Sequence, residues 1–186
     1  MLVDFKADMR ISAYSDKWRA LLMEVIEIKG FHKFIYDLGS EFFYMPKEDS
    51  MKFELDALPA DWKLEELKSE HAKIVDDNWP GSGKSSLIFF QRLIELNPSV
   101  GLFNDKGDLI GWCLMREYGT IGSLHVIDSE HRKGYGSLLT KALSLELAKR
   151  GYDSISNVIF GNLKSKNLFL KLGFEIIDTM YRTQLE

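Results

Sequence analysis

Cysteine is nearly absent. Cys113 stands alone in the chain, so no internal disulfide can form and no thiolate cluster is available for zinc. Its neighbours Trp112 and Leu114 are apolar, which is the setting of a core thiol rather than of a nucleophile. No metal site is expected. No apolar run approaches the roughly 18–20 residues of a spanning helix, so no membrane partner is expected either. An excess of basic charge is also missing. Twenty-four Lys and Arg face 28 Asp and Glu, a formal charge of −4, which argues against general nucleic-acid binding and leaves room only for a local basic corner. Asp4 and Asp8 sit near the N-terminus among few basic residues, unlike a secretory or organellar presequence. The expectation is an intracellular protein. Internal repeats and low-complexity tracts are absent too.

What is present is ordinary globular material: 186 residues, 45% hydrophobic and 28% charged, enough for one full core with an appendage. Residues 15–29 predict a helix capped by Ser15, with Trp18, Leu21, Leu22, Val25 and Ile26 on its apolar face and Gly30 at its end. The aromatic stretch 31–45, including Phe31 and Phe34, predicts one or two strands, and residues 45–50 a turn or linker. A helical period runs over 64–77, with His71 on its flank, and a second helix over 84–96. Ser99 to Phe103 and Leu109 to Glu117 read as a hairpin around the turn 104–108. A strand at 123–127, a helix at 137–149, a strand at 154–160, a helix at 163–172 and a last strand from Phe174 complete the order. That succession predicts a mixed α/β sheet in which the strands flanking the 137–149 helix are parallel neighbours.

The centre of this order is Ser123 to Leu139. A short apolar strand passes through a polar turn into His131-Arg132-Lys133-Gly134-Tyr135-Gly136-Ser137, and a helix comes next. A strand entering a helix through Gly-x-Gly leaves several backbone N–H groups unpaired and convergent, and glycine removes the Cβ that would keep an anion away. Arg132 and Lys133 add positive charge. The expected ligand is a phosphate or pyrophosphate. The competing possibility is a surface turn whose glycines serve only its geometry.

Residues 78–86, Asn-Trp-Pro-Gly-Ser-Gly-Lys-Ser-Ser, look like the end of a nucleotide-binding P-loop. However, Asn78 occupies the place of that pattern's first glycine, and the preceding residues carry helical periodicity where a buried strand belongs. A turn between two helices is the preferred reading, with a P-loop nucleotide hydrolase kept as the lesser alternative.

These residues resemble the GNAT acyltransferase superfamily. His131-x-x-Gly134-x-Gly136 is similar to its CoA pyrophosphate loop, and Asn162-x-x-Ser165-x-x-Leu168-Phe169-x-Lys171-Leu172-Gly173-Phe174 to the helix and strand that complete its fold. Val75-Asp76-Asp77-Asn78-Trp79, Trp112-Cys113-Leu114-Met115 and Glu130-His131-Arg132 bring the resemblance closer to the glycine N-acyltransferase-like family. It implies a GNAT-like fold of the α/β (α+β) type: a mixed, mostly antiparallel twisted sheet with parted central parallel strands and flanking helices. Residues 1–58 would be a remnant of an N-terminal GNAT-like half plus linker, and residues 59–186 the acyl-CoA-binding domain. The family's association with mitochondria adds that compartment to the cytoplasm.

The resemblance further implies an acyltransferase using acyl-CoA or acetyl-CoA as co-substrate. The amine of glycine or another small acceptor would attack the thioester directly. Backbone N–H groups of His131, Arg132, Lys133, Gly134, Tyr135, Gly136 and Ser137 would hold the pyrophosphate. Val126 and Ile127 would pair with the pantetheine arm as an added strand, one N–H steadying the oxyanion. Asn162, with Ser165 in the same motif, completes the cofactor-binding set. The proton carriers depart from the pattern. Thr120 stands where these enzymes carry a glutamate, Gly122 where other members place a base, and Phe169 where many have a tyrosine. Glu117 and His125 are the nearest titratable replacements, with a solvated strand end and a hydrogen-bonded sheet residue as their plain structural readings. Two classes of function remain: an amide-forming acyltransferase, or a CoA-binding module with little catalysis.

Overall fold

The computed structural model describes residues 9–30 and 34–185. Residues 1–8 with Asp4 and Asp8, residues 31–33 with Phe31, and residue 186 lie outside the described residues. The strands are β1 (Met9–Ser15), β2 (Phe34–Met45), β3 (Lys63–Glu65), β4 (Ser99–Phe103), β5 (Leu109–Met115), β6 (Ile121–Val126), β7 (Ser154–Ile159) and β8 (Glu175–Leu185). The helices are α1 (Arg19–Ile28), α2 (Lys47–Ser50), α3 (Ala72–Asp77), α4 (Ser86–Leu96), α5 (Tyr135–Lys149) and α6 (Leu163–Lys171). Among the described residues no helix is long and apolar enough to cross a membrane.

The fold is a mixed α/β arrangement whose sheet is mostly antiparallel, with β6 and β7 the parallel pair. It divides into two compact units that no single cut in the chain separates. One groups the described residues up to 43 with 157–170 and 174–185; the other holds 44–156 and 171–173.

In the second unit β3, β4, β5 and β6 are successive antiparallel neighbours. The hairpin turn is built locally: Asn104 Oδ1 accepts from the N–H groups of Lys106 at 3.0 Å and Asp108 at 2.8 Å. One sheet face is covered by α3 and α4, where Val75, Phe90, Leu93 and Ile94 close over Trp112 and Leu114. The other face receives α5, whose Leu139, Leu143 and Leu147 are fully buried. Burying each such side chain contributes about 1.5–3 kcal/mol. Leu139 lies beneath Gly111, where a Cβ would stand 3.1 Å from its Cδ1, while the next residue, Trp112, faces the opposite side.

Several expectations are corrected here. The helical period at 64–77 resolves into the short strand β3, a 3-10 turn at Ser69–His71 and the brief α3. Pairing with β4, a tertiary effect, turns Lys63–Glu65 into a strand. His71 accepts the Lys68 N–H through Nδ1 at 2.9 Å and packs on Phe103, a structural role. Residues 45–50 contain the short helix α2 rather than only a linker. The Gly83-Lys84-Ser85 segment enters from α3, not from a strand, and Ser86 Oγ closes it by bonding both the N–H and the carbonyl of Gly83 at 2.8 Å. This segment therefore lacks P-loop architecture.

In the first unit α1 packs Leu22, Met23 and Ile26 against Ile11 and Leu185. Trp18, Leu21 and Val25, expected on the buried face, are 60%, 55% and 40% exposed. The helix is apolar on nearly every side, so periodicity alone could not choose the stripe that docking on β1 and β8 selects. Beside it the Arg19 guanidinium forms an ion pair with Asp37, Nη1 to Oδ1 at 3.1 Å, and Thr183 Oγ1 donates to the same oxygen at 2.7 Å. Arg19 lies 4.0 Å over the Tyr181 ring. The Arg19 hydrogen bond, then that of Thr183, holds the Asp37 carboxyl below its ordinary value against opposing desolvation. A carboxyl depressed in the folded state adds stability that is complete above its unfolded value and lost as pH falls through the folded one. Thermal melts on the acid side should therefore show Asp37→Asn with a lower Tm near neutrality and a shallower fall below about pH 4. Parallel curves for variant and wild type would refute that role.

Candidate functional site

The site is built where β6 ends. Trp112 pairs with His125 and Leu114 with Gly122, so β6 carries one residue more than β5 between these points. The extra residue is a bulge at Ser123, which adopts φ +48°, and a bulge bends its strand and re-aims the residues beyond it. Below the bulge β6 meets β7 at Ile121 and Ser156, and Ser156 Oγ donates to the Ile121 carbonyl at 2.8 Å.

Beyond the bulge the backbone directions separate the two expected strand residues. Ile127 donates its N–H to Ile110 at 2.9 Å and accepts from Glu130 at 3.0 Å. Both its groups are engaged inside the chain, which leaves Val126 as the better placed of the two for pairing with an added strand. Val126 points its groups the other way, and its carbonyl is 2.7 Å from His131 Nε2.

The chain then turns through Asp128–Glu130 into the basic corner. Arg132 takes φ +62° and Gly134, the N-cap of α5, φ +88°. Among the described residues no hydrogen bond engages the backbone N–H groups of Arg132, Lys133, Gly134, Tyr135, Gly136 or Ser137; the first such bond of the helix is Leu138 to the Gly134 carbonyl at 3.1 Å. Six successive open amides at the start of α5, two of them in residues of positive φ, form a concave donor array suited to a phosphate. A Cβ on Gly134 would meet nothing within 4 Å, so the space in front of the array is open. The helix starts at Tyr135, two residues before the expected 137, because Gly134 serves as its cap.

The side chains of the corner divide the work. Arg132 is exposed and makes no ion pair among the described residues. Lys133 Nζ is 2.9 Å from Glu130 Oε2, and this hydrogen bond raises its pKa. Tyr135 packs on Trp62 with ring centroids 5.4 Å apart. In the other unit Asn162 Oδ1 accepts the Ser165 N–H at 3.1 Å, which caps the start of α6, and Asn157 Oδ1 is buried without a partner. Phe169 is buried between Phe43 and Phe174 as a core aromatic.

His125 lies on the α3–α4 face, its ring stacked on Trp112 at 4.6 Å. Glu117 sits at the β5–β6 turn, held by Arg116 through Nε to Oε2 at 3.0 Å and Nη2 to Oε1 at 3.4 Å. Sequence reasoning missed Arg116 itself. Its guanidinium lies 5.1 Å from the Phe89 ring and 5.7 Å from Trp79, donates to Ser123 Oγ at 2.9 Å, and is part-buried. Gly122 is required beneath it, since a Cβ there would stand 2.9 Å from Arg116 Cγ. The arginine stem thus fills the volume that a side chain at position 122 would take. The only available signal was a cation next to a Gly-x-x-Gly turn. Cys113 is buried, which pushes its thiol up to about 12, and it is no nucleophile.

A family model described as FR47-like protein matches residues 99–183, the span from β4 into β8. Among solved structures a Drosophila protein superposes with TM-score 0.87 at 24% identity, covering 100% of this chain and 63% of its own. A tandem GNAT protein from the clavulanic acid biosynthesis pathway gives TM-score 0.67 at 15% identity, covering 95% of this chain and 63% of its own. A GNAT-family acetyltransferase from Colwellia psychrerythraea gives TM-score 0.64 at 16% identity, covering 96% and 65%. The chain therefore spans less than two thirds of each of these proteins, and it has the GNAT fold.

Proposed function

We propose that this GNAT-fold chain is an acyl-CoA-dependent N-acyltransferase that transfers the acyl group to the amine of glycine or another small acceptor. The observation that carries the reading is the array of open amides from Arg132 to Ser137, placed directly after the outward edge of Val126. The array supplies donors for a diphosphate, each charge-assisted bond contributing about 1.5–3 kcal/mol, and the strand edge supplies a partner for an extended amide-bearing arm. The FR47-like match and the GNAT neighbours support the donor class. Asn162 and Ser165 are proposed to bind the donor, and residues 59–186 to form the acyl-CoA-binding domain.

In the reaction the acceptor nitrogen attacks the thioester carbon. An N–C bond forms, the C–S bond breaks, and the thiol of CoA leaves. The acceptor arrives mainly as an ammonium, since an α-amino group has a pKa of about 8, so one proton must go to a base before attack. His125 is the proposed base. Beyond the N–H groups that serve Glu117 and Ser123, Arg116 has two more donors, and these support an acceptor bearing a carboxylate.

The absence of ionisable side chains at Thr120, Gly122 and Phe169 favours a second reading, a CoA-binding module with little turnover. Thiol release across acyl-CoAs of increasing length, each with glycine and other small amines, separates the two. Glycine-dependent release is expected. A CoA-induced rise in melting temperature without release for any acceptor would favour the second reading, and indifference to millimolar CoA would refute both.

A further inference from the structure

His131 occupies the position where the phosphate loop begins, yet its ring is turned away from the amide array. Nε2 lies 2.7 Å from the Val126 carbonyl and 3.6 Å from Asp128 Oδ1. A carbonyl can only accept, so Nε2 carries a hydrogen. The backbone favours this pose: His131 is extended at φ −62° and ψ 157°, with its N–H tied to the Asp128 carbonyl at 3.3 Å.

Val126 is the residue of β6 whose groups point away from β5, and Ile127 cannot substitute because both of its groups are engaged. An exposed strand edge is a template for a further strand. The imidazole caps that edge at the atom an added strand would need. We propose that His131 is a latch on the acyl-donor site: it satisfies the Val126 carbonyl in the free protein and must swing away before the amide-bearing arm of the donor can lie along β6. This rests on the acyl-CoA reading of the site and adds a gate that the phosphate end of the ligand does not meet. A nucleotide lacking the arm needs only the amide array and leaves the latch closed.

The test compares two ligands by calorimetry: CoA, and 3′-phosphoadenosine 5′-diphosphate, which keeps the phosphates and lacks the arm. Removing the imidazole in His131→Ala removes a competitor worth one neutral hydrogen bond, so CoA should bind about three- to tenfold more tightly. The armless nucleotide should bind the variant and the wild type alike. CoA binding that is unchanged or weaker in the variant overturns the latch, and weaker binding of both ligands would assign His131 to the phosphates instead. A wild type that binds neither ligand overturns the acyl-CoA reading together with the latch. An independent readout needs no variant. In nitrogen-15 spectra of the wild-type imidazole, the protonated Nε2 resonance should move on adding CoA and stay in place with the armless nucleotide. Equal movement with both would also overturn the proposal.

Discussion

Replacing Gly134 by valine should abolish CoA binding, measured as the loss of any CoA-induced rise in melting temperature. The residue sits at φ +88°, a conformation that costs a side-chain-bearing residue about 1–2 kcal/mol and a β-branched one more. Nothing lies within 4 Å of a Cβ there, so the penalty comes from the backbone and from the space in front of the loop, not from an internal clash. Relief of the strain rotates the amides of Gly134 and Tyr135 out of convergence, and the isopropyl group enters the space a phosphate needs. Loss of two charge-assisted bonds corresponds to roughly a 10²–10⁴-fold weaker complex. Because α5 is anchored by Leu139, Leu143 and Leu147 on its far turns, the apo protein should remain folded. Gly134→Ala should be intermediate, carrying the backbone penalty with little of the obstruction. A Gly134→Val protein that still responds fully to CoA would remove the amide array from the site.

That loop is readable in the sequence because its geometry is local. A strand, a polar turn, two glycines and an amphipathic helix lie within one short stretch, and the N-terminal N–H groups of a helix are orphans wherever the helix begins. The hairpin around Asn104 is readable for the same reason. The unreadable parts depend on contacts distant in sequence. β1 exists because Met9–Ser15 pairs with β8, and β3 because Lys63–Glu65, where a helix-like period begins, pairs with β4. Periodicity draws the buried stripe of α1 too wide: docking keeps Leu22 and Ile26 from the expected face and leaves Trp18, Leu21 and Val25 exposed. Arg116 and Glu117 would point to opposite faces of a regular strand. The turn closed by the Arg116 N–H to the Thr120 carbonyl at 2.7 Å instead brings them into an ion pair. The pose of His131 rests on the direction in which Val126 faces, and the bulge at Ser123 stands between that direction and any simple alternation.

The same geometry favours His125 over Glu117 as the proposed base. Glu117 is engaged at both oxygens by Arg116, which commits the carboxylate to the guanidinium. His125 neighbours Val126 along the strand and stacks on Trp112, whose buried indole fixes the plane of the ring. As removal of the proposed base, His125→Ala should lower kcat for glycine-dependent thiol release by about 10²–10⁴, with little change in the affinity for CoA, whose phosphates are proposed to sit on the amide array. A base must be unprotonated to act, so the wild-type rate should fall as pH is lowered through its titration, and the variant should lose that limb of the profile. Glu117→Gln keeps the shape and removes one charge of the Arg116 pair. Its effect should fall on the acceptor's KM, through the altered guanidinium, more than on kcat. The reverse pattern, a large kcat loss in Glu117→Gln with His125→Ala near normal, would make the carboxylate the base despite its ion pair. Arg116 would then serve to hold that base in place instead of meeting the acceptor.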